Sequence, residues 1–200
     1  MIFLAACLAI LSLAFGLVVL GAILSLGAAA IAGFFRDPQR HVPSGEGLVV
    51  SPADGRVVSV VAVKDDSIFG DAVNRISIFL SPLDVHINRA PVAGRVDEIR
   101  YRAGKFLAAY KDDASRVNEQ NALRIVDERE RNWGVVQIAG VLARRIVCRV
   151  KRGEALARGQ RFGLIMFGSR TDLYLPKGCR VEVTEGQKVK GGETVIGRFV

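Results

Sequence analysis

The sequence predicts a mainly β domain of duplicated strand–turn–strand units, set behind an N-terminal helical membrane anchor. Three observations predict it. Residues 1–35 carry no charged side chain, so all 28 Lys+Arg and all 20 Asp+Glu, and the whole formal charge of +8, fall on residues 36–200. Short β-branched runs separated by turn residues fill most of that charged stretch. A Pro-x-x-Gly turn followed by Arg-Val recurs at Pro52 and Pro91.

The apolar run exceeds the ~20 residues that span a bilayer core. Its length, and the lack of a basic stretch before it, set it apart from a secretory signal. At ~1.5 Å per residue, 35 helical residues would reach about 50 Å. Either a tilted helix has an extra segment, or Gly16 or Gly21 bends a re-entrant hairpin. Arg36 and Arg40 come directly after it, and basic flanks favour the cytoplasmic side. The body is therefore expected at the cytoplasmic face of the cell membrane, its positive charge against an anionic lipid surface.

The linker Asp37–Pro43 is broken by two prolines, which resist helix. Beyond it, strands are predicted at Leu48–Val50, Arg56–Val63, Arg75–Leu80, Gly94–Arg100, Leu123–Val126, Trp133–Ala139, Ala143–Val150, Arg161–Phe167, Arg180–Thr184 and Thr194–Phe199, with one weak helical stretch at Lys105–Tyr110. Nucleic acid is not an expected partner, because no basic helix and no interleaving of basic and aromatic residues occurs. Cys7, Cys148 and Cys179 are scattered and form no CxxC, and His41 and His86 are the sole histidines, so neither a metal site nor a disulfide is expected.

Pro52-Ala53-Asp54-Gly55-Arg56-Val57 is echoed by Pro91-Val92-Ala93-Gly94-Arg95-Val96, and Arg180–Glu193 reads as a third unit. That last stretch resembles the strand–turn–strand edge of biotinyl and lipoyl carrier domains, which implies duplicated barrel-sandwich units. A carrier module would need a lysine at the tip of the hairpin. These turns hold Asp54-Gly55 and Ala93-Gly94 instead.

The chemistry concentrates around Gly163–Arg170, an apolar strand-like run ending in Gly168-Ser169. Alone, Gly-Ser is a turn signal. Together with Ser51-Pro52-Ala53-Asp54-Gly55 and Ser81-Pro82-Leu83-Asp84-Val85-His86-Ile87-Asn88-Arg89-Ala90-Pro91, in this order, it resembles the short form of the phosphatidylserine decarboxylase family over about Phe35–Val200. The resemblance implies a proenzyme that cuts itself between Gly168 and Ser169. The products would be a large chain 1–168 and a small chain 169–200, with Ser169 converted to a covalent pyruvoyl cofactor. It implies phosphatidylserine as substrate and phosphatidylethanolamine and CO2 as products. Another serine-headed lipid, such as archaetidylserine, would use the same headgroup chemistry.

Within that pattern His86 is the expected acid–base group, since imidazole titrates near neutrality. Asp54 looks like the carboxylate that orients it. Long-form members tend to carry His-x-x-His where this chain has His86 and Arg89, so either His86 serves both cleavage and decarboxylation, or Arg89 or a water covers one of them. Arg170 stands where longer forms have Thr. Arg36, Arg40 and Arg89, and beside them Arg100 and Arg102, are candidate phosphate contacts, because a guanidinium offers a two-pronged donor. Oligomeric state is left open, a homo-oligomer included.

Overall fold

A computed structural model of the chain describes residues 2–63, 69, 72–107, 117–140, 145–166 and 169–199. The chain divides into two units, Met1–Pro38 and Gln39–Val200.

The first unit is a helical hairpin, α1 (Ile2–Ala14) and α2 (Val18–Phe34). The reversal falls at Gly16, whose φ of 74° suits a residue without Cβ. Of the two geometries open to the apolar run, the structure has the hairpin. Gly21 lets the helices close, since a Cβ there would lie 2.5 Å from Leu13 Cγ. Among the described residues no helix is long and apolar enough to cross a membrane. Phe3, Val19 and Leu26 stand exposed on the hairpin.

The second unit is mainly β, with strands β1 (Leu48–Val50), β2 (Gly55–Ala62), β3 (Ala72–Leu80), β4 (Ile87–Arg89), β5 (Gly94–Arg102), β6 (Gln120–Val126), β7 (Asn132–Ile138), β8 (Ile146–Cys148), β9 (Ala155–Leu156), β10 (Arg161–Ile165), β11 (Ser169–Pro176), β12 (Cys179–Val181), β13 (Lys188–Val189) and β14 (Val195–Phe199) among its described residues. Of the expected helical stretch, residues 105–107 are not helical and Lys105 bridges to Asn118, while 108–110 lie outside the described residues.

Eight strands form one sheet in the order β13-β2-β3-β11-β7-β6-β5-β9, flanked by three-stranded sheets β1-β14-β12 and β4-β10-β8. The order is that of a duplicated unit. Exchanging β2 with β5, β3 with β6, β11 with β7 and β13 with β9 reverses the large sheet onto itself. Exchanging β1 with β4, β14 with β10 and β12 with β8 interconverts the small ones. Details obey the same exchange: a bulge falls at Val57/Ser59 in one half and at Val96/Glu98 in the other. Arg89 N donates to Pro52 O, and Val50 N to Pro91 O, both at 2.9 Å. The 39-residue offset of the Pro-x-x-Gly turns is thus the offset of the halves. The C-terminal stretch is not a third unit, because β13 pairs with β2 just as β9 pairs with β5.

The inner face of the large sheet holds the main core, with Ile76, Ile78, Leu80, Leu123, Ile125, Trp133, Val135 and Leu173 all buried. A smaller cluster of Phe69, Ala122, Val136, Ile138 and Tyr174 covers part of the opposite face.

Candidate active site

Two antiparallel pairs frame the site. β3 and β11 run together to the pair Leu80–Ser169, and β4 and β10 begin with Ile87 opposite Leu164. Residues 81–86 therefore cross from the large sheet to a small one, and Ile165 N donates to His86 O at 3.1 Å. Ser169 opens β11 with no exposed surface, and its Oγ is buried with no hydrogen-bond partner among the described residues. An unsatisfied buried hydroxyl is uncommon and calls for an explanation. Gly168, the other half of the expected cleavage bond, lies outside the described residues.

His86 is held by a tight turn. Asp84 N donates to Ser81 O at 2.9 Å, and Ser81 N to Asp84 Oδ2 at 2.8 Å. The Asp84 carbonyl then accepts from His86 Nδ1 at 2.9 Å. A carbonyl can only accept, so in the neutral ring the proton sits on Nδ1 and the lone pair on Nε2. The ring is 3% exposed.

A row of buried polar side chains continues inward from the serine. Thr171, Gln137 and Asn121 lie opposite one another across β11, β7 and β6. Asn88 reaches this row from β4. Asn121 Nδ2 donates to Gln137 Oε1 at 3.1 Å, Gln137 Nε2 to Asn88 Oδ1 at 2.9 Å, and Asn88 Nδ2 to Thr171 Oγ1 at 3.0 Å. Gly163 makes room for this, since a Cβ there would sit 2.9 Å from Gln137 Nε2 and 2.3 Å from Val147 O. Strand side chains alternate, so Ser169 shares the face of Thr171, and His86 precedes Asn88 by the same two residues. The Asn88–Thr171 bond thereby ties β4, which follows His86, to β11, which Ser169 opens. None of these four residues stood out in the sequence, and their one signal is an amide or hydroxyl where strand alternation calls for an apolar residue.

The opposite face of β11 is charged. Arg170 donates through Nε to Asp172 Oδ1 at 2.6 Å and through Nη2 to Oδ2 at 3.1 Å and to Ser77 Oγ at 2.7 Å, with both charged side chains 1% exposed.

Asp54 lies in the first Pro-x-x-Gly turn. Its Oδ2 accepts from Arg40 at 2.7 Å and its Oδ1 from Gly191 N at 2.8 Å. Burial nevertheless lifts this carboxyl above the ordinary carboxylate range, outweighing the Gly191 N–H and the Arg40 charge, with the nearby Asp84 adding to the rise. The hydrogen bond that orients His86 thus comes from the Asp84 carbonyl, and the Asp54 carboxylate is engaged by Arg40 and Gly191. Arg40 also lies 3.6 Å from Glu193. Arg89 is buried and donates to Gly159 O at 3.1 Å. Arg36 is exposed and donates to Gly33 O. Arg100 pairs with Glu98. Backbone N–H of His41 donates to Glu193 Oε1 at 3.3 Å. No cluster of His, Cys, Asp or Glu among the described residues could hold a metal ion.

Ser169 thus opens β11 with a buried hydroxyl, and His86 lies in the segment that leaves the neighbouring strand β3. The family model for phosphatidylserine decarboxylase matches residues 28–197. A phosphatidylserine decarboxylase proenzyme from Gluconacetobacter diazotrophicus is 54% identical over 169 residues, covering 83% of this chain and 75% of the relative. One from Symbiobacterium thermophilum is 51% identical over 180 residues, 90% of this chain and 84% of the relative. One from Syntrophus aciditrophicus is 44% identical over 166 residues, 83% and 78% respectively. The chain belongs to the phosphatidylserine decarboxylase family.

Proposed function

We propose that this chain is a proenzyme that cuts itself at Gly168-Ser169 and then decarboxylates phosphatidylserine to phosphatidylethanolamine and CO2. The observation that carries the reading is the buried Ser169 hydroxyl without a hydrogen-bond partner among the described residues. The relatives' shared name, a decarboxylase proenzyme, supports it.

In cleavage, His86 Nε2 takes the Ser169 hydroxyl proton while Oγ attacks the Gly168 carbonyl carbon, and that proton passes to the departing residue-169 nitrogen. The peptide C–N bond is exchanged for an ester. Loss of the residue-169 α-proton then breaks the Cβ–O bond and frees the Gly168 carboxylate. Hydrolysis of the remaining unsaturated residue consumes water and releases ammonia, leaving a pyruvoyl group. The orphaned hydroxyl on a sealed, neutral face fits that fate. When formed, the pyruvoyl carbonyl supplies the electron sink for loss of CO2. In this reading His86 holds or returns the proton for residue 169. Cutting does not free the small chain, because β11 lies between β3 and β7 of the large one.

The finer reading of the fold, two barrel-sandwich units, is supported by the paired exchange of strands. The apolar hairpin of residues 2–34 serves as a membrane anchor, with the β unit at the cytoplasmic face on anionic lipid. Of the candidate phosphate contacts, Arg36 is exposed. Arg40 and Arg89 would have to exchange their bonds to Asp54, Glu193 and Gly159.

Intact mass spectrometry tests the reading. The wild-type chain is expected as 1–168 plus a 32-residue small chain, 169–200, that lacks a free amine and reacts with carbonyl reagents. Ser169→Ala should stay whole and inactive. A wild-type chain that remains uncut, or an alanine variant that still releases CO2, overturns it.

A further inference from the structure

The turn that fixes His86 has an unusual tip. Ser81–Asp84 is closed at its base by two hydrogen bonds, yet its outermost residues are Pro82 and Leu83, and Leu83 is 84% exposed. Among the described residues of the β unit no other large apolar side chain is as exposed, Tyr101 coming next at 60%. Turn tips ordinarily take Gly, Asn, Asp or Ser, which sit in water without penalty. A scattered exposed leucine would call for no account. This one is held rigidly, three residues before the site histidine and joined to it through Asp84. The first two Asp84 contacts close the turn, and the third holds the imidazole.

We propose that the Pro82-Leu83 tip is an interfacial contact, which enters the headgroup–acyl boundary of an anionic bilayer at the mouth of the Ser169–His86 site. This rests on the decarboxylase reading. A diacyl lipid has to leave the plane of its bilayer to bring its headgroup carboxylate to a residue with no exposed surface. An apolar tip beside that residue shortens the transfer, because it displaces headgroups where the substrate must rise. The formal charge of +8, all of it on residues 36–200, suits an anionic lipid surface. The contact is distinct from the anchor: the hairpin would hold the protein to the membrane, whereas the tip would orient the site toward it.

Cleavage of the chain needs no lipid, so it reports folding and site chemistry separately. Leu83→Asp in the full chain should mature at the wild-type rate. It should turn over a short-chain, monomeric phosphatidylserine within about twofold of wild type, and phosphatidylserine in anionic vesicles about tenfold or more slowly, given what a leucine gains on leaving water. Leu83→Trp, in vesicles containing chain-brominated lipid, should show quenching of the added indole. The sole native tryptophan, Trp133, is 1% exposed and supplies a constant background. Equal loss on both substrates would place Leu83 in the site's own chemistry and overturn the inference. So would unchanged vesicle turnover, and so would a vesicle defect without quenching, which would mean a protein contact. If the wild-type chain fails on both substrates, it is the decarboxylase reading that falls.

Discussion

The two halves of the large sheet differ most where they should be alike. The exchange that superimposes them carries the pair Leu80–Ser169 onto Asp127–Arg131. In the second half β6 turns directly into β7 through that four-bond corner. Asp127 Oδ1 accepts from Arg129 N and Arg131 N, and Oδ2 from Arg131 Nε and Trp133 Nε1. Glu130 takes the left-handed φ of 57° that so tight a reversal needs. In the first half the equivalent corner is open. β3 leaves for β4 through residues 81–86, and Ser169, opposite Leu80, opens β11. One corner uses its polar atoms to close a hairpin, while the other leaves a serine hydroxyl unengaged. A cavity of about 380 Å³, lined by Arg131, Trp133, Arg158 and Phe199, lies at the closed corner. It is at the other corner from the proposed site. The proposed chemistry sits where the duplication is interrupted, at the start of β11.

The sharpest way to break this comparison is to remove the base from the open corner. His86→Ala should slow self-cleavage by roughly 10²–10⁴ with little change in thermal midpoint, since the turn's own closing bonds remain. The time course of chain separation on a gel, read beside a melting curve, decides it. Cleavage at the wild-type rate removes His86 from maturation and leaves it, at most, the decarboxylation step.

A smaller effect, mixed in kind, is expected from the polar row that ties β4 to β11. Gln137→Leu leaves Asn88 Oδ1 and Asn121 Nδ2 buried without this partner, a loss of about 1–3 kcal/mol for a stranded polar group. The same change loosens the Asn88–Thr171 link, so cleavage should slow as well. Loss of stability with an unaltered cleavage rate would reduce the row to packing.

Much of this was legible in the residues. The Pro52–Gly55 and Pro91–Gly94 turns state the duplication openly, and Gly168-Ser169 after an apolar run names the corner. What escaped is tertiary. The C-terminal glycine turn reads as a third unit because a turn looks alike wherever it is used, whereas its pairing with β2 spans more than 130 residues. Gln137 and Asn121 are ordinary strand residues until β10, slimmed by Gly163, brings Asn88 over them. Asp54 looks like the partner of His86 because both sit in family motifs. The backbone carbonyl of Asp84, which holds the ring, carries no residue-type signal at all.

The closed corner gives the smallest effect and the cleanest control. Burial alone would push the Asp127 carboxyl up. The donors from Trp133, Arg131 and Arg129 together outweigh it and hold the carboxyl below the usual carboxylate range. A carboxylate whose folded value lies below its unfolded one, about 3.9, contributes stability that is present above that pH and lost as pH falls through the folded value. Asp127→Asn should therefore be less stable than wild type near neutrality, and the gap between them should narrow below about pH 4. Trp133 is the chain's sole tryptophan and donates to this carboxylate, so its fluorescence tracks the corner directly. Cleavage should proceed in the variant at the wild-type rate, because nothing in this corner touches Ser169. A gap that stays constant down to about pH 3 would mean that the carboxylate's charge is not what closes the turn. A cleavage defect in Asp127→Asn would mean that the two corners are coupled, and the division of labour between them would fail.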